Sequence, residues 1–457
     1  MSSFGSKLLT FLLVPLYTAV LSTEEYGIAD LITSTSNLLI FAATICIADA
    51  VMRFAIDSEQ ERFGVLRFGI TVVLIGSSII GCLILLFAII NPINWDPYYY
   101  LFLYLIVLTS PLNSVLSNYL RAIDKVYAVA INGIIITATT VISNLLLLLV
   151  FKLGIYGYLI SFVLSHVIGA LYCCEVIYRY DRKSFSQKCE KQKGRRMLKY
   201  SFPLIFNGIA WWMNGSLDRY GIALFYGASL NGLYAVASKI PTILNVFNQI
   251  FMSAWNLSAI KEYGGDDKSG FFSGMYAAYN LVLLTGCSIL IMLNIPLARV
   301  LFAKDFFKAW KYSSVLVIST VFSALSSFVG SIFSAVKNSR IFAVSTVIAA
   351  VINAGLNLVL IPPYGALGAA IATAISFMAV WLIRYICALK YIKLSNHIIR
   401  DICGYFCIIV QLIIEHFDGH FYVVQGCLFL LICILYKNEI GSVLSIFRKM
   451  IKKLLHI

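Results

Sequence analysis

Apolar windows of 18 or more residues recur along the whole chain, separated by short polar stretches. Each is long enough to cross a bilayer as a helix of about 20 residues. They fall at about 4–21, 28–51, 66–91, 98–119, 127–151, 154–177, 201–226, 232–257, 273–301, 312–335, 342–361, 366–388, 400–415 and 420–436. That predicts about fourteen spans. The runs are continuous, whereas the strands of a spanning barrel would alternate. Helices are then the only spanning structure that satisfies every backbone polar group. The predicted fold class is an all-α polytopic membrane protein.

The polar stretches set the orientation. With the N-terminus placed in the cytoplasm, about 27 of the 35 Lys and Arg fall in cytoplasmic loops or the C-terminal tail, as the positive-inside rule requires. Lys152, Lys304, Lys308 and Lys311 fall on the other face. Both termini are therefore expected in the cytoplasm. The first apolar stretch lacks an A-x-A-like cleavage site and runs into Glu24 and Glu25, so it reads as a retained helix. The longest loop, 179–199, is basic, too short to fold alone, and suited to anionic lipid headgroups.

Two long-range matches indicate an internal repeat. "EEYGIADLITSTSN" (24–37) matches "LNGLYAVASKIPT" (230–242), with Gly27 over Gly232. Residues 122–161 match 339–373, with Gly154 and Gly157 over Gly365 and Gly368. Spans one to six thus recur as spans seven to twelve. Six is an even number, so the repeat is parallel, about an axis along the membrane normal, with a cavity expected between the bundles. The predicted organisation is a six-helix bundle over 1–178, a basic cytoplasmic linker over 179–199, and a second six-helix bundle over 200–392. Two extra helices and a basic cytoplasmic tail follow over 393–457.

Polar residues inside the spans form stripes. In span eight, Ser238, Thr242, Asn245, Gln249, Ser253 and Asn256 share one helix face. The repeat places Thr33, Asn37 and Thr44 of span two over Ser238, Thr242 and Gln249. In span seven, Asn207, Trp211, Asn214 and Asp218 form a further stripe. Arg219 follows Asp218 directly, and neighbours on a helix point about 100° apart. The two are a poor intrahelical ion pair, so each is expected to seek a partner on another helix or in the cavity. Lys239 is the nearest other intramembrane cation in sequence. For single amides and hydroxyls, helix-to-helix bonding is the plainer role. For Arg219 and Lys239 a cavity role is favoured, because intramembrane charges are rare and usually functional. Arg384 is expected to snorkel towards its nearer interface. Asp49 and Arg53, at i and i+4, read as a structural pair.

Composition agrees. Of 457 residues, 60% are hydrophobic and 12% charged, against about one quarter charged in soluble domains. The net charge of +14 is a topology signal and does not imply nucleic acid. The eleven cysteines sit mostly in apolar segments, as small packing residues rather than disulfides or metal ligands. His166 reads as a packed or hydrogen-bonded core residue. No cofactor or metal is called for.

"SKLLTFLLVPLYTAVLSTEEYGIADL" (6–31), "FPLIFNGIAWWMNGSLDRYGIALFYGASLNGLYAVASKI" (202–240) and "GALGAAIAT" (365–373) together resemble bacterial polysaccharide-unit flippases, the O-antigen and capsule exporters. These belong to the multidrug/oligosaccharidyl-lipid/polysaccharide transporter superfamily. Members usually carry another helical turn or two before the Ser-Lys-Leu-Leu stretch, so the expectation here is either a short first span or a true start upstream of Met1. The resemblance implies a non-enzymatic flippase of the bacterial inner membrane. Such a protein moves an undecaprenyl-diphosphate-linked oligosaccharide from the inner to the outer leaflet by alternating access, for surface polysaccharide such as lipopolysaccharide. It implies as partners the lipid-linked glycan, membrane lipid and the polysaccharide polymerase machinery. The carry-over rests on Asp218, Arg219 and Lys239, more weakly on Arg53. Asn37, Asn214, Asn245 and Gln249 would offer hydrogen bonds to sugar, and Trp211, Trp212 and Trp255 faces for stacking or packing.

The rival within the superfamily is a cation-coupled multidrug or other small-molecule antiporter, with Asp218, Asp30 and Asp49 as the available carboxylates. A membrane-embedded glycan polymerase or ligase is disfavoured, because the outer loops are short and mostly uncharged.

Overall fold

The computed structural model describes residues 11–57, 61–181, 190–263, 268–336, 338–392, 394, 397–417 and 421–441. Within them every regular element is a helix. The predicted spans map onto these helices in order, and several spans are broken into two. Helix α1 (Val14–Val20) carries the described part of the first span. Helices α2 (Thr23–Thr44) and α3 (Ile47–Ile56) together form the second. Then follow α4 (Arg62–Ile90), α5 (Pro97–Ala122), α6 (Val126–Asn144, continued by a π turn Leu145–Val150), α7 (Gly154–Asp181) and α8 (Lys191–Tyr226). The eighth span is α9 (Ala228–Ala237) plus α10 (Thr242–Glu262), and the ninth is α11 (Lys268–Met292) plus α12 (Asn294–Leu301). A 3₁₀ turn (Lys304–Ala309) leads to α13 (Trp310–Ala335), α14 (Ser339–Ala388), α15 (Ile398–Phe417) and α16 (Tyr422–Leu435).

Local chemistry explains these boundaries. Ser22 and Glu25 form a capping box at the start of α2: Glu25 N donates to Ser22 Oγ at 3.1 Å and Ser22 N to Glu25 Oε2 at 2.8 Å. The acidic pair that follows the first span is thus a helix start. Helix α2 ends where Ile45 and Cys46 adopt successive left-handed conformations, φ 52° and 54°, a conformation that strains a β-branched residue. The 50-residue α14 is two helices meeting at Gly365, φ 57°, just after Pro362 and Pro363. It supplies the eleventh and twelfth spans.

Among the described residues, eight helices are long and apolar enough to cross a bilayer by themselves. Because α14 is doubled, they account for nine of the predicted spans. Of the other five, α8 and α15 carry charges, span eight is broken, α16 is a short apolar helix, and the first span is described only from residue 11.

The chain divides into two compact units, residues 1–220 and 221–457. The division falls within α8, which runs unbroken past the basic stretch used in the sequence to separate the bundles. In the first unit, Ile47, Val51, Val65, Val115, Tyr119, Cys173 and Met197 form one core, and Ile32, Ala43, Val107 and Leu159 belong to another. The second unit is built around α13, in which Val321, Leu325, Phe328 and Ile332 are all fully buried.

The glycines matched by the repeat have matching backbone roles. Gly154 (φ 54°) and Gly365 (φ 57°) are both left-handed. A Cβ on Gly157 would lie 3.2 Å from the Leu147 carbonyl oxygen, and one on Gly368 would lie 2.1 Å from that of Leu360. In each unit the second glycine lets a helix close onto the backbone of the preceding one. Gly368→Ala is therefore expected to destabilise the second unit by at least about 1–3 kcal/mol, since the obstacle is backbone and cannot rotate away. Gly355→Ala meets nothing within 4 Å and should be neutral or slightly stabilising. Thermal melting of the two purified variants checks the contrast.

Candidate functional site

Asp218 and Arg219 lie in the last turns of α8. Asp218 is 6% exposed, and its Oδ1 accepts the Arg219 backbone N–H at 3.1 Å. The Arg219 side chain turns away to α2. Its Nη1 donates to Asp30 Oδ1 at 2.5 Å and to Ser34 Oγ at 3.2 Å. Asp30 and Ser34 are four residues apart, so both face α8 from the same side of α2. The pair is largely enclosed, with side-chain exposures of 20% for Arg219 and 11% for Asp30.

Neighbouring bonds fix this geometry. Trp212 Nε1 donates to the Ser34 carbonyl at 2.8 Å. Tyr220 and Thr35 share a hydroxyl hydrogen bond at 2.7 Å, and the Trp212 and Tyr220 rings are 5.3 Å apart. One turn further along, the Phe41 ring closes so near Gly208 that a Cβ there would be 2.6 Å from it. Ser34 serves α8 twice, its hydroxyl meeting Arg219 and its carbonyl meeting Trp212. The expectation that Arg219 would find its partner on another helix is met by Asp30.

The sequence marks Asp30 only as one of three carboxylates open to an antiporter, and gives no role to Ser34, Thr35 or Tyr220. A usable signal was present. An arginine in span seven needs a counter-charge, and Asp30 and Ser34 stand one turn apart in span two.

Other candidates are placed more plainly. Asn214 Nδ2 donates to the Ala210 carbonyl at 2.9 Å on its own helix. Thr33, Thr44, Ser238, Thr242 and Ser253 likewise donate to carbonyls three or four residues back. Their hydroxyls are occupied locally and, among the described residues, hold no neighbouring helix. Asn37 and Gln249 are exposed, and Asn245 is half-buried. Lys239 sits half-buried in the turn between α9 and α10. No bond of its ammonium group is found among the described residues. Asn37, Asn214, Asp218 and Arg219 belong to the first unit, Lys239, Asn245 and Gln249 to the second.

Two expectations are corrected. Arg53 pairs with Asp57 at 3.8 Å rather than with Asp49, and both partners are more than half exposed. Asp57 caps the C-terminal end of α3, one turn beyond Arg53, where both side chains reach water. Arg384 does not snorkel: it is 4% exposed. Its guanidinium donates to Ser345 Oγ (2.9 Å), the Ser326 carbonyl (3.0 Å), the Phe342 carbonyl (3.4 Å) and Thr346 Oγ1 (2.9 Å), and lies 4.1 Å over the Phe342 ring. A fan of neutral oxygens and a ring face takes the place of water.

Trp255 is a core residue, 2% exposed, donating to Ser331 Oγ at 2.6 Å and stacked on Phe328 at 4.3 Å. His166 is packed as expected, Nδ1 lying 2.9 Å from the Phe162 carbonyl. The Trp211 side chain, the Lys7 region and the middle of the basic loop lie outside the described residues. Among those described, no group of three His, Cys, Asp or Glu is placed to hold a metal ion.

Comparison with known proteins follows the same lines. The family described as polysaccharide biosynthesis protein matches residues 1–255. An uncharacterised membrane protein of Methanocaldococcus jannaschii is 23% identical over 428 residues, covering 87% of this chain and 97% of that protein. The solved structure of lipid II flippase MurJ, in an inward closed conformation, superposes with a TM-score of 0.71 at 16% identity, covering 97% of this chain and 98% of that one. An inward-facing multidrug resistance MATE family transporter of the MOP superfamily gives a TM-score of 0.70 at 13% identity, covering 84% and 94%.

Proposed function

We propose a function on one premise: this chain belongs to the polysaccharide biosynthesis protein family. The proposed activity is to carry an undecaprenyl-diphosphate-linked oligosaccharide from the inner to the outer leaflet of the bacterial cytoplasmic membrane by alternating access, with both termini in the cytoplasm. Surface polysaccharide such as O-antigen would be its destination and a polymerase its downstream partner. No bond is made or broken in such a cycle, so the chain is proposed as a transporter rather than an enzyme.

The observation that supports the substrate class most is Arg219 on Asp30 and Ser34. A guanidinium enclosed by apolar helices attracts an anion strongly, by about 4 kcal/mol for unit charges 4 Å apart at an effective dielectric of 20. Its planar fork suits the oxygens of a diphosphate. Asp30 then acts as the resting counter-ion. An arriving diphosphate displaces the carboxylate, and the carboxylate returns as the lipid leaves, so the arginine is never left bare in the membrane. Lys239 would add a second positive charge, and Asn37, Asn214, Asn245 and Gln249 hydrogen bonds to sugar.

A second reading, a cation-coupled multidrug or small-molecule antiporter, is favoured by one observation. The fold is shared equally with a MATE transporter, and Asp30 is a carboxylate that could exchange Arg219 for a cation. The purified protein in proteoliposomes separates the two. Protein-dependent exposure of a fluorescent undecaprenyl-diphosphate glycan to an external quencher supports the first. Efflux of a cationic dye with no movement of the lipid would replace it with the second.

A further inference from the structure

The ends of four helices meet at one corner of the first unit: the start of α4, the ends of α5 and α7, and the start of α8. Lys193 Nζ of α8 reaches Glu61 Oε2, beside the start of α4, at 2.9 Å. A Cβ on Gly194 of α8 would lie 2.8 Å from the Phe68 ring of α4, and the Ser117 hydroxyl of α5 lies 3.8 Å from Cys173 Sγ of α7. Two hollows open at this corner and share a ridge of α4 formed by Phe63, Leu66 and Ile70. The spacing i, i+3, i+7 puts these three on one helix face. The first hollow, about 450 Å³, continues along α4 to Arg67. The second, about 440 Å³, crosses to Cys174 and Ile177 of α7. Phe63 and Ile70 are half-buried, and Cys174 is an exposed free thiol.

Charge at this corner is unbalanced. Glu175, which lines the second hollow, pairs with Arg179 on its own helix, and Glu61 pairs with Lys193. Arg67 is exposed, and among the described residues no carboxylate pairs with its guanidinium. Arg195 and Arg196, which follow Gly194 on α8, are exposed too. Arg67 lies five residues beyond the first residue of α4, about 7.5 Å along the helix axis. In a spanning helix that is the depth of the lipid headgroups. A guanidinium at that depth takes a phosphate through its planar fork, and the apolar ridge beside it takes an acyl chain. Basic pockets between spanning helices hold phospholipid headgroups in this way. A free phosphate would leave the ridge uncovered, and a lipid without net charge would leave Arg67 unanswered. An anionic phospholipid satisfies both.

We propose that the groove framed by α4, α5 and α7 binds one anionic glycerophospholipid of the surrounding membrane, its phosphate on Arg67 and an acyl chain along Phe63, Leu66 and Ile70. The site is independent of what Arg219 binds, and its failure would leave the proposed function standing.

The test uses the full chain purified in detergent and stripped of lipid. Cys174 lines the groove, so its alkylation by N-ethylmaleimide, followed by peptide mass spectrometry, reads occupancy directly. Cys403, an exposed thiol on α15 of the second unit, is the reference. Phosphatidylglycerol is expected to slow alkylation of Cys174 severalfold, and phosphatidylcholine with the same acyl chains is not. Arg67→Gln should reduce the protection to the phosphatidylcholine level, and Arg67→Lys should keep part of it. Arg67 is exposed, so both variants should fold. A ligand that binds only the folded state also raises the thermal midpoint, and the rise with phosphatidylglycerol should be lost in Arg67→Gln. Equal protection by the two lipids, or undiminished protection in Arg67→Gln, would overturn the site and leave the hollows to any bilayer chain. Protection by undecaprenyl phosphate and not by phosphatidylglycerol would overturn it in favour of the transported lipid. A Cys174 rate unchanged by every lipid would overturn it outright.

Discussion

Arg219→Ala is expected to lower glycan export by about two to three orders of magnitude, the equivalent of losing an interaction of about 4 kcal/mol with the diphosphate. The single variant is ambiguous, because it strands Asp30. Removing one partner of a buried pair typically destabilises by about 3–5 kcal/mol, and with Asp30 only 11% exposed part of the loss would come from poorly folded protein. The double variant Asp30→Ala/Arg219→Ala separates the two effects. It leaves no buried charge at this contact, so protein levels should recover. Export should not recover, because the anion anchor is gone. Restored export in the double variant would reduce Arg219 to a structural tie between α2 and α8. Arg219→Lys should retain part of the activity, since it keeps the charge and loses the fork. Complementation of a flippase-deficient strain, scored by surface glycan and by the amount of membrane-inserted protein, reads all of these variants.

Arg384→Ala is expected to be the most destabilising single change in the second unit, by about 3–5 kcal/mol, the range seen when a buried, hydrogen-bonded charged group is truncated. The guanidinium bonds Ser326 on α13 and Phe342, Ser345 and Thr346 on the first half of α14. It thereby ties both helices to the second half of α14, its own. Arg384→Lys should fall between wild type and alanine, because one ammonium cannot reach all four acceptors. Arg384→Met should retain contact with the Phe342 ring and lose every polar bond. A thermal midpoint for Arg384→Met equal to wild type would refute the account of Arg384 as a polar clamp. Export by folded Arg384 variants should persist, since the group is buried among its own partners.

Much of the fold was legible because lipid makes strict demands. Apolar length located the helices, and the matched glycines Gly154/Gly365 and Gly157/Gly368 have the same backbone roles in each unit. What stayed hidden depends on rotation and depth. A residue at a span end can point out to an interface or in among its neighbours, and the sequence around Arg384 is equally apolar in either case. Its acceptors are two hydroxyls and two carbonyls, which no charge-pairing rule would select. The hydroxyl stripes were visible as faces, but whether Thr33 or Thr242 bonds across a gap or back to its own helix is a matter of rotamer. For Arg219 the need for an outside partner followed from the 100° step between neighbours on a helix. Choosing Asp30 over Asp49 required knowing whether α2 or α3 meets the Arg219 turn of α8, and at which turn. The break at Ile45 and Cys46 had no sequence marker, since neither residue favours a left-handed conformation.

The direction in which the bonds run along the chain bears on how the protein is made. Arg219 is held by Asp30 and Ser34, Arg384 by residues from Ser326 to Thr346, and Glu415 by Asn294. In each case the partner emerges from the ribosome before the residue it satisfies. Thr33, Thr44, Ser238 and Thr242, bonded to their own carbonyls, need no partner when they enter the bilayer. Arg219, Arg384 and Glu415 thus arrive where a receptive neighbour is already in place, whereas Asp30 precedes Arg219, and the hydroxyls, satisfied by their own helices, arrive in any order. Of these four ions only Asp30 waits for its partner while the chain is still being synthesised.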